Sequence, residues 1–372
     1  MPEKSYKYAA GSRGLLYPFV EISKCIDCKL CDSACPIENK IESKMFDRKA
    51  YVLRAKDVEI VSTSTSGGFV TPLGVWILNQ GGVICGATYN EEYKVIHKIS
   101  RGGAEEFRGS KYVQSDLGDC FSEIKKHLMQ ETKVCFIGTP CQVYGLKSYL
   151  RKEYDNLVTV DFVCHGTPSP KLWKKYLDEQ KDKYHSEIDD IVFRNKTYGY
   201  HSGTMRIRFK NQFVYYGSAR VDPMLKSFFA EISSRPSCYQ CHFKLVERCS
   251  DFTIYDCWHA NNLVEGLVDD DKGFTNLIVQ SSKGERILDR IADRYELYAT
   301  NLEKAIELDG TMICHSAEPH PRRDEYYLNL DKETLRAHIQ KFVPIKIRDY
   351  LIEKSKGIFY RMGVYKFLKN KK

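Results

Sequence analysis

The chain has 372 residues, 42% hydrophobic and 28% charged, a balance that excludes a disordered or collagen-like protein. Its net charge of +8 is moderate and no nucleic-acid motif accompanies it, which argues against a DNA or RNA binder. The longest apolar stretch, Phe69–Leu78, contains Pro72 and Gly74 and is too short to span a bilayer.

Fourteen cysteines is a high count for this length. The polar start, MPEKSYKYAAGSRG, lacks the apolar segment of a signal peptide. The expected location is therefore the cytoplasm, where thiols stay reduced and metal binding outweighs disulfides.

In chain order, residues 1–24 lead in, with Leu15–Val20 reading as a short strand. Next comes Cys25-Ile-Asp-Cys28-Lys-Leu-Cys31-Asp-Ser-Ala-Cys35-Pro36, spaced C-x2-C-x2-C-x3-C-P. That spacing lets thiolates wrap a cubane 4Fe-4S cluster from one tight loop. Zinc more naturally takes two separated C-x2-C pairs, and disulfides need an oxidising compartment. In two-cluster proteins the fourth cysteine of such a run serves the other cluster, so Cys35 either closes this cluster or stands idle.

Residues 43–60 read as a charged connection. Ser62-Thr-Ser-Thr-Ser-Gly-Gly68 then precedes a predicted helix over 69–78, with Ser66 as its expected N-cap. Hydroxyls and exposed amides at a helix start suit an anion such as a cofactor phosphate, and a plain capping turn has the same pattern. Residues 82–89 read as a buried strand. Lys111, in Gly109-Ser-Lys-Tyr-Val-Gln-Ser115, reads as a phosphate or carboxylate holder or as a surface lysine. A helix over 116–130 follows.

Two strand–turn–helix units come next. Val134–Ile137 leads into Gly138-Thr-Pro-Cys-Gln142 and a helix to Leu150. Leu157–Val163 leads into Cys164-His-Gly-Thr-Pro168 and a helix to about Lys183. Such units build adjacent strands of a parallel sheet. Each sets a cysteine, Cys141 or Cys164, just past the carboxyl end of its strand, where open α/β sheets bind ligands. A helix start also favours thiolate at Cys141. Residues 188–216 alternate as antiparallel strands. Cys238 and Cys241 form a C-x2-C pair, and Ser250–Trp258 reads as a strand with carboxylates near both ends. Cys85, Cys120, Cys135, Cys249, Cys257 and Cys314 fall mostly in apolar patterns, as small buried hydrophobes do. Residues 341–372 interleave lysines with aromatic and aliphatic side chains. This reads as a surface helix packed on the domain or as a basic helix on an anionic membrane.

These stretches, in this order, resemble the beta subunit of coenzyme F-420 hydrogenase/dehydrogenase, in its bacterial branch associated with polysaccharide biosynthesis. The matching pieces are the run at 25–36, Ser64-Thr-Ser-Gly-Gly68, Gly109–Ser115, Ile137-Gly-Thr-Pro-Cys-Gln142, Asp161-Phe-Val-Cys-His-Gly166, and Arg235-Pro-Ser-Cys-Tyr-Gln-Cys241 with Ser250-Asp251 to Trp258. The resemblance implies an α+β or α/β protein: a ferredoxin-type 4Fe-4S module over 1–45, then a mixed-sheet catalytic domain over 46–310. That domain divides into 46–130 and 131–310, and a basic helical tail follows over 311–372. It implies an iron-sulfur flavoprotein oxidoreductase, with Ser66, Gly67, Gly68 and Lys111 touching FAD or FMN. Cys25, Cys28, Cys31 and Cys35 would hold one cluster, and Cys141, Cys164, Cys238 and Cys241 a second. Electrons would come from ferredoxin or another donor protein and pass to a small organic substrate or a deazaflavin-like coenzyme, with His165 as a proton donor or as an ordering residue.

The chain departs from the family pattern in carrying one ferredoxin run rather than two. It also has Cys257-Trp-His259 where Phe-Trp-Gly is expected. Two other functions compete: a non-catalytic electron-transfer or docking subunit, and a structural zinc protein using Cys238 and Cys241.

Overall fold

A computed structural model describes residues 6–39 and 45–365. The expected module over 1–45 and the basic tail over 311–372 thus lie partly outside the described residues. No described helix is long and apolar enough to cross a membrane.

The strands, in chain order, are β1 Tyr6–Ala10, β2 Leu16–Val20, β3 Lys49–Ala55, β4 Val83–Tyr89, β5 Val95–Ser100, β6 Val134–Gly138, β7 Leu157–Phe162, β8 Ile188–Asn195, β9 Thr204–Phe209, β10 Val214–Ser218, β11 Phe252–Cys257, β12 Phe274–Val279 and β13 Tyr295–Thr300. Eight of them form one mixed sheet in the order β13-β3-β12-β11-β7-β6-β4-β5. Its centre, β4-β6-β7-β11, is parallel, and antiparallel strands extend both sides. The α/β expectation is met, and the paired units around Cys141 and Cys164 are indeed neighbouring parallel strands.

The residue pattern explains this layout. β6 is buried along its whole length and β7 from Leu157 to Asp161, as in a parallel strand covered on both faces. One face packs Phe69, Leu73 and Ile77 against Leu53, Val160 and Phe252. The other packs Ile124, Val143 and Leu146 against Val83 and Phe136. A separate antiparallel sheet, β10-β9-β8, shares a third core with the helices Pro170–Tyr184, Pro223–Phe229, Arg323–Leu328 and Leu335–Phe342. Its most buried aromatic side chains include Trp173, Tyr176 and Tyr326.

The predicted 69–78 helix runs Val70–Leu78, but Ser66 does not cap it. Phe69 stands at the cap position, and Gly67 and Gly68 turn the chain before it. A Cβ on Gly67 would lie 2.4 Å from the Leu53 carbonyl oxygen, and Gly68 has φ +85°. These glycines let the turn press onto the ends of β3 and β12.

Candidate active site

The carboxyl ends of β6, β7 and β11 open side by side onto one cleft of about 2050 Å³. This exceeds the few hundred to about 1,000 Å³ of an ordinary small-molecule pocket. Ser66, Gly68, Lys111, Cys141, Cys164, His165, Cys238 and Cys241 all line it, and so do Cys31 and Cys35. Cys25 and Cys28 are exposed and outside its lining, as is Gly67, whose amide donates to Thr275 Oγ1.

Cys141 follows Pro140 at the start of the helix Pro140–Leu150, whose first turn is closed by a Thr139–Gln142 capping box. Thr139 Oγ1 lies 3.1 Å from Cys141 Sγ. Cys164 leaves β7 two residues after Phe162. The Cys164 and Cys238 segments are zipped together by a Pro168–Ser234 bridge and by Arg235 N donating to Thr167 O at 2.9 Å. Gly166, at φ +140°, permits this approach, since a Cβ there would lie 2.6 Å from Ser234 Oγ and 3.3 Å from Cys238 Cβ. Cys241 is fixed by its amide, which donates to Ser316 Oγ at 3.1 Å.

Among the described residues, no three His, Cys, Asp or Glu side chains converge on a point where one metal ion would sit. Three of the four thiols nonetheless respond to their neighbours in the cleft. Burial, then Cys238 and Cys241, push the Cys141 thiol up to about 11. Burial, then Cys238 and Cys141, raise Cys164, and burial raises Cys238. The lowering expected from the helix start is therefore outweighed at Cys141. The donor chemistry fits a multi-iron cluster better than one ion, because a cubane takes each thiolate at a separate corner. Two cations stand by this set. Lys244 Nζ donates to Cys164 O and to Met312 O, and Arg235 lowers the thiol pKa at both Cys141 and Cys238.

The N-terminal run is attached to the same framework. Its helix Leu30–Ala34 packs on Pro140–Leu150, and Arg151 Nη2 donates to Leu30 O and Ser33 Oγ. The hairpin β1–β2 is held by Gln114 paired with Leu16 on both backbone groups, and by Arg235 donating to Leu16 O and stacking over Tyr17.

Opposite the cysteines, Lys111 Nζ donates to Arg108 O and Gly109 O, and burial pulls its pKa down to about 8. Ser66 Oγ bonds Thr275 Oγ1 at 2.7 Å, while Thr65 and Ser110 hydroxyls meet at 3.1 Å. His165 is partly exposed, with Nδ1 3.9 Å from Glu231 Oε1.

Sequence reading missed Arg194 in the wall of this cleft, and Tyr200 and Lys196, which support its lining residues from behind. Arg194 on β8 donates to Asp256 Oδ2 at 2.9 Å and lies 4.7 Å over the Trp258 ring. Tyr200 stacks on Trp258 and donates to Asp256 Oδ1. Lys196 reaches the flavin-expected turn, donating to Val61 O and Ser66 O, and burial draws its pKa down to about 7. No local motif marks these residues, because β8 comes from the other sheet. The carboxylate of Asp161, by contrast, is fully buried against Arg248 at 2.8 Å, and Asp251 bonds Thr159 and Ser281. These two motif carboxylates hold the sheet together and do not face the cleft.

Fold and site define a thiol-lined cleft at the edge of an α/β sheet. Residues 131–305, just under half of the chain, match the family model for the C-terminal part of the beta subunit of coenzyme F420 hydrogenase/dehydrogenase. Over this region the chain is similar to that family, in keeping with the resemblance of its ordered motifs. The match includes Cys141, Cys164, Cys238 and Cys241, whereas the run at 25–36, Ser66–Gly68 and Lys111 lie before it. Among solved structures, a xenon derivative of the F420-reducing NiFe hydrogenase complex from Methanosarcina barkeri aligns at 16% identity and a TM-score of 0.45. The alignment covers 83% of this chain and 97% of that one. No curated protein matches.

Proposed function

We propose that the protein is an iron-sulfur flavoprotein oxidoreductase, with residues 1–45 as the electron-entry module and 46–310 as the catalytic unit. The observation that carries this reading is the single cleft reached by Cys31 and Cys35, by the four thiols at 141, 164, 238 and 241, and by Ser66 and Lys111. Cys25, Cys28 and Cys31, with Cys35 as fourth ligand, would hold one 4Fe-4S cluster. Cys141, Cys164, Cys238 and Cys241 would hold another, and Ser66, Gly68 and Lys111 would hold FAD or FMN. Clusters move single electrons, and a flavin converts that traffic into two-electron chemistry at a small organic molecule.

The chain's own residues have definite tasks in this scheme. Lys244 and Arg235 offset the charge that four thiolates would bring. Lys196 holds the Ser66 carbonyl and so shapes the turn facing Lys111. Arg194, ion-paired with Asp256 and lying over Trp258, gives the far wall a charge-balanced, aromatic character. His165 stands where a proton can be exchanged with solvent.

The test is purification without oxygen, followed by measurement of iron, sulfide, zinc and released flavin per chain. About eight irons and one flavin are expected, with four irons per cubane. Cys28→Ser and Cys141→Ser should each remove about four of them. About four irons without flavin in the unaltered protein would leave an electron carrier and remove the catalytic reading. Zinc in place of iron would remove both.

A further inference from the structure

The helix Ile347–Arg361 lies on the domain with its amphipathic character reversed. The side toward the protein carries polar groups, a glycine and the tyrosines Tyr350 and Tyr360, with none of the helix's aliphatic side chains in the described cores. Glu353 accepts from Ser218 Oγ at 2.6 Å, and the Lys356 ammonium sits 4.8 Å over the Tyr198 ring. Gly357 faces the Tyr198 hydroxyl, and Tyr360 meets the Tyr198 ring edge-on. The outer side is apolar: Ile347 is 79% exposed, Leu351 61%, Ile358 56% and Met362 66%. At 100° per residue these four fall within an arc of about 60°, and Phe359 and Ile352 widen the stripe on one flank. A surface helix ordinarily turns this stripe inward.

Charge indicates what covers it. Arg348, Lys354 and Arg361 are exposed around the stripe. Both carboxylates of the helix are engaged elsewhere, Asp349 with the Lys346 amide and Glu353 with Ser218 and Lys356. The sequence continues Lys366-Phe-Leu-Lys-Asn-Lys-Lys372, with more cations and more apolar groups. A protein partner for so basic a rim would need a matching acidic groove. A bilayer with anionic headgroups supplies apolar depth and negative charge together. We infer that this helix docks the protein on an anionic lipid surface, with Ile347, Leu351, Ile358 and Met362 entering the acyl boundary. Lys354 and Arg361 would reach back to the phosphates, as long basic side chains do.

The experiment is co-sedimentation of the full chain with phosphatidylcholine vesicles, with and without about a third phosphatidylglycerol. Binding is expected to the anionic vesicles only, and to weaken as salt rises. Lys354→Gln with Arg361→Gln should weaken it about thirtyfold, the share of two cations near such a surface. Leu351→Ser with Ile358→Ser should abolish it. Both pairs are exposed and should leave the unfolding midpoint unchanged. Absence of binding to anionic vesicles overturns the inference, as does equal binding to neutral ones. A dimer that Leu351→Ser and Ile358→Ser convert to monomer, without vesicle binding, would assign the face to a second copy. None of these readouts depends on cluster or flavin content.

Discussion

Gly166→Ala tests the geometry of the cysteine site directly. The new Cβ would stand 2.6 Å from Ser234 Oγ, 2.8 Å from Ser234 Cβ and 3.3 Å from Cys238 Cβ. At φ +140° an L-residue is strained before any contact is counted. The backbone term is on the order of 1–3 kcal/mol. Forced contact in a packed site adds a further 1–3 kcal/mol or so. The chain can relieve both only by parting residues 164–168 from 234–238, which moves Cys164 away from Cys238. The expected outcome is a urea midpoint lowered by the equivalent of about 2–6 kcal/mol and the loss of about four irons per chain. Adding Ser234→Gly removes the two shortest contacts but not the φ strain, and should recover roughly half of the stability loss. A Gly166→Ala protein with unchanged midpoint and full iron would refute the argument that this glycine sets the spacing of the thiols.

Arg248→Met leaves the Asp161 side chain buried in the core without its partner, at an expected cost of about 3–5 kcal/mol by urea titration. Asp161→Asn in the same chain should restore much of it. Asp222 caps the helix Pro223–Phe229 and accepts from Tyr176 and Tyr215, yet burial pushes its carboxyl up to about 6. Between about pH 4 and 6 the folded state keeps a proton that the unfolded chain has released. Its contribution therefore falls as pH rises through that window, by about 3 kcal/mol at most. Asp222→Asn should flatten this slope, seen as the difference between wild-type and variant midpoints at pH 4.5 and 6.5. Lys196→Met strips the donor from the Val61 and Ser66 carbonyls, and should cost about 1–3 kcal/mol and lower the flavin recovered per chain.

Much of the architecture was legible because the signals were local. The strand-like runs at Val134–Ile137 and Leu157–Val163, each followed by a turn and a helix, read as adjacent strands of a parallel sheet. That placed Cys141 and Cys164 at one edge. The spacing of Cys238 and Cys241 announced a loop, but only the fold brings that loop to Cys164, through Gly166 and the Pro168–Ser234 bridge. Three features were out of reach. Arg194 and Lys196 enter from a second sheet, so no spacing along the chain relates them to Ser66 or Asp256. Gly67 and Gly68 look like a phosphate cradle in sequence, and the same residues are what a turn pressed against β3 requires. The outward stripe on Ile347–Arg361 has the periodicity of any packed helix, and periodicity does not say which way a helix faces.

The way the cysteines are distributed sets an order of assembly. The run at Cys25–Cys35 is complete as soon as Cys35 has left the ribosome. The other set gathers Cys141, Cys164, Cys238 and Cys241 from three segments, and the Cys241 amide finds its acceptor only when Ser316 has been made. If the proposed clusters are present, one ligand set would thus be available to an iron-loading system before the other. On that reading the other would exist only once Ser316 has been made, so a nascent protein stalled in between would carry the first alone.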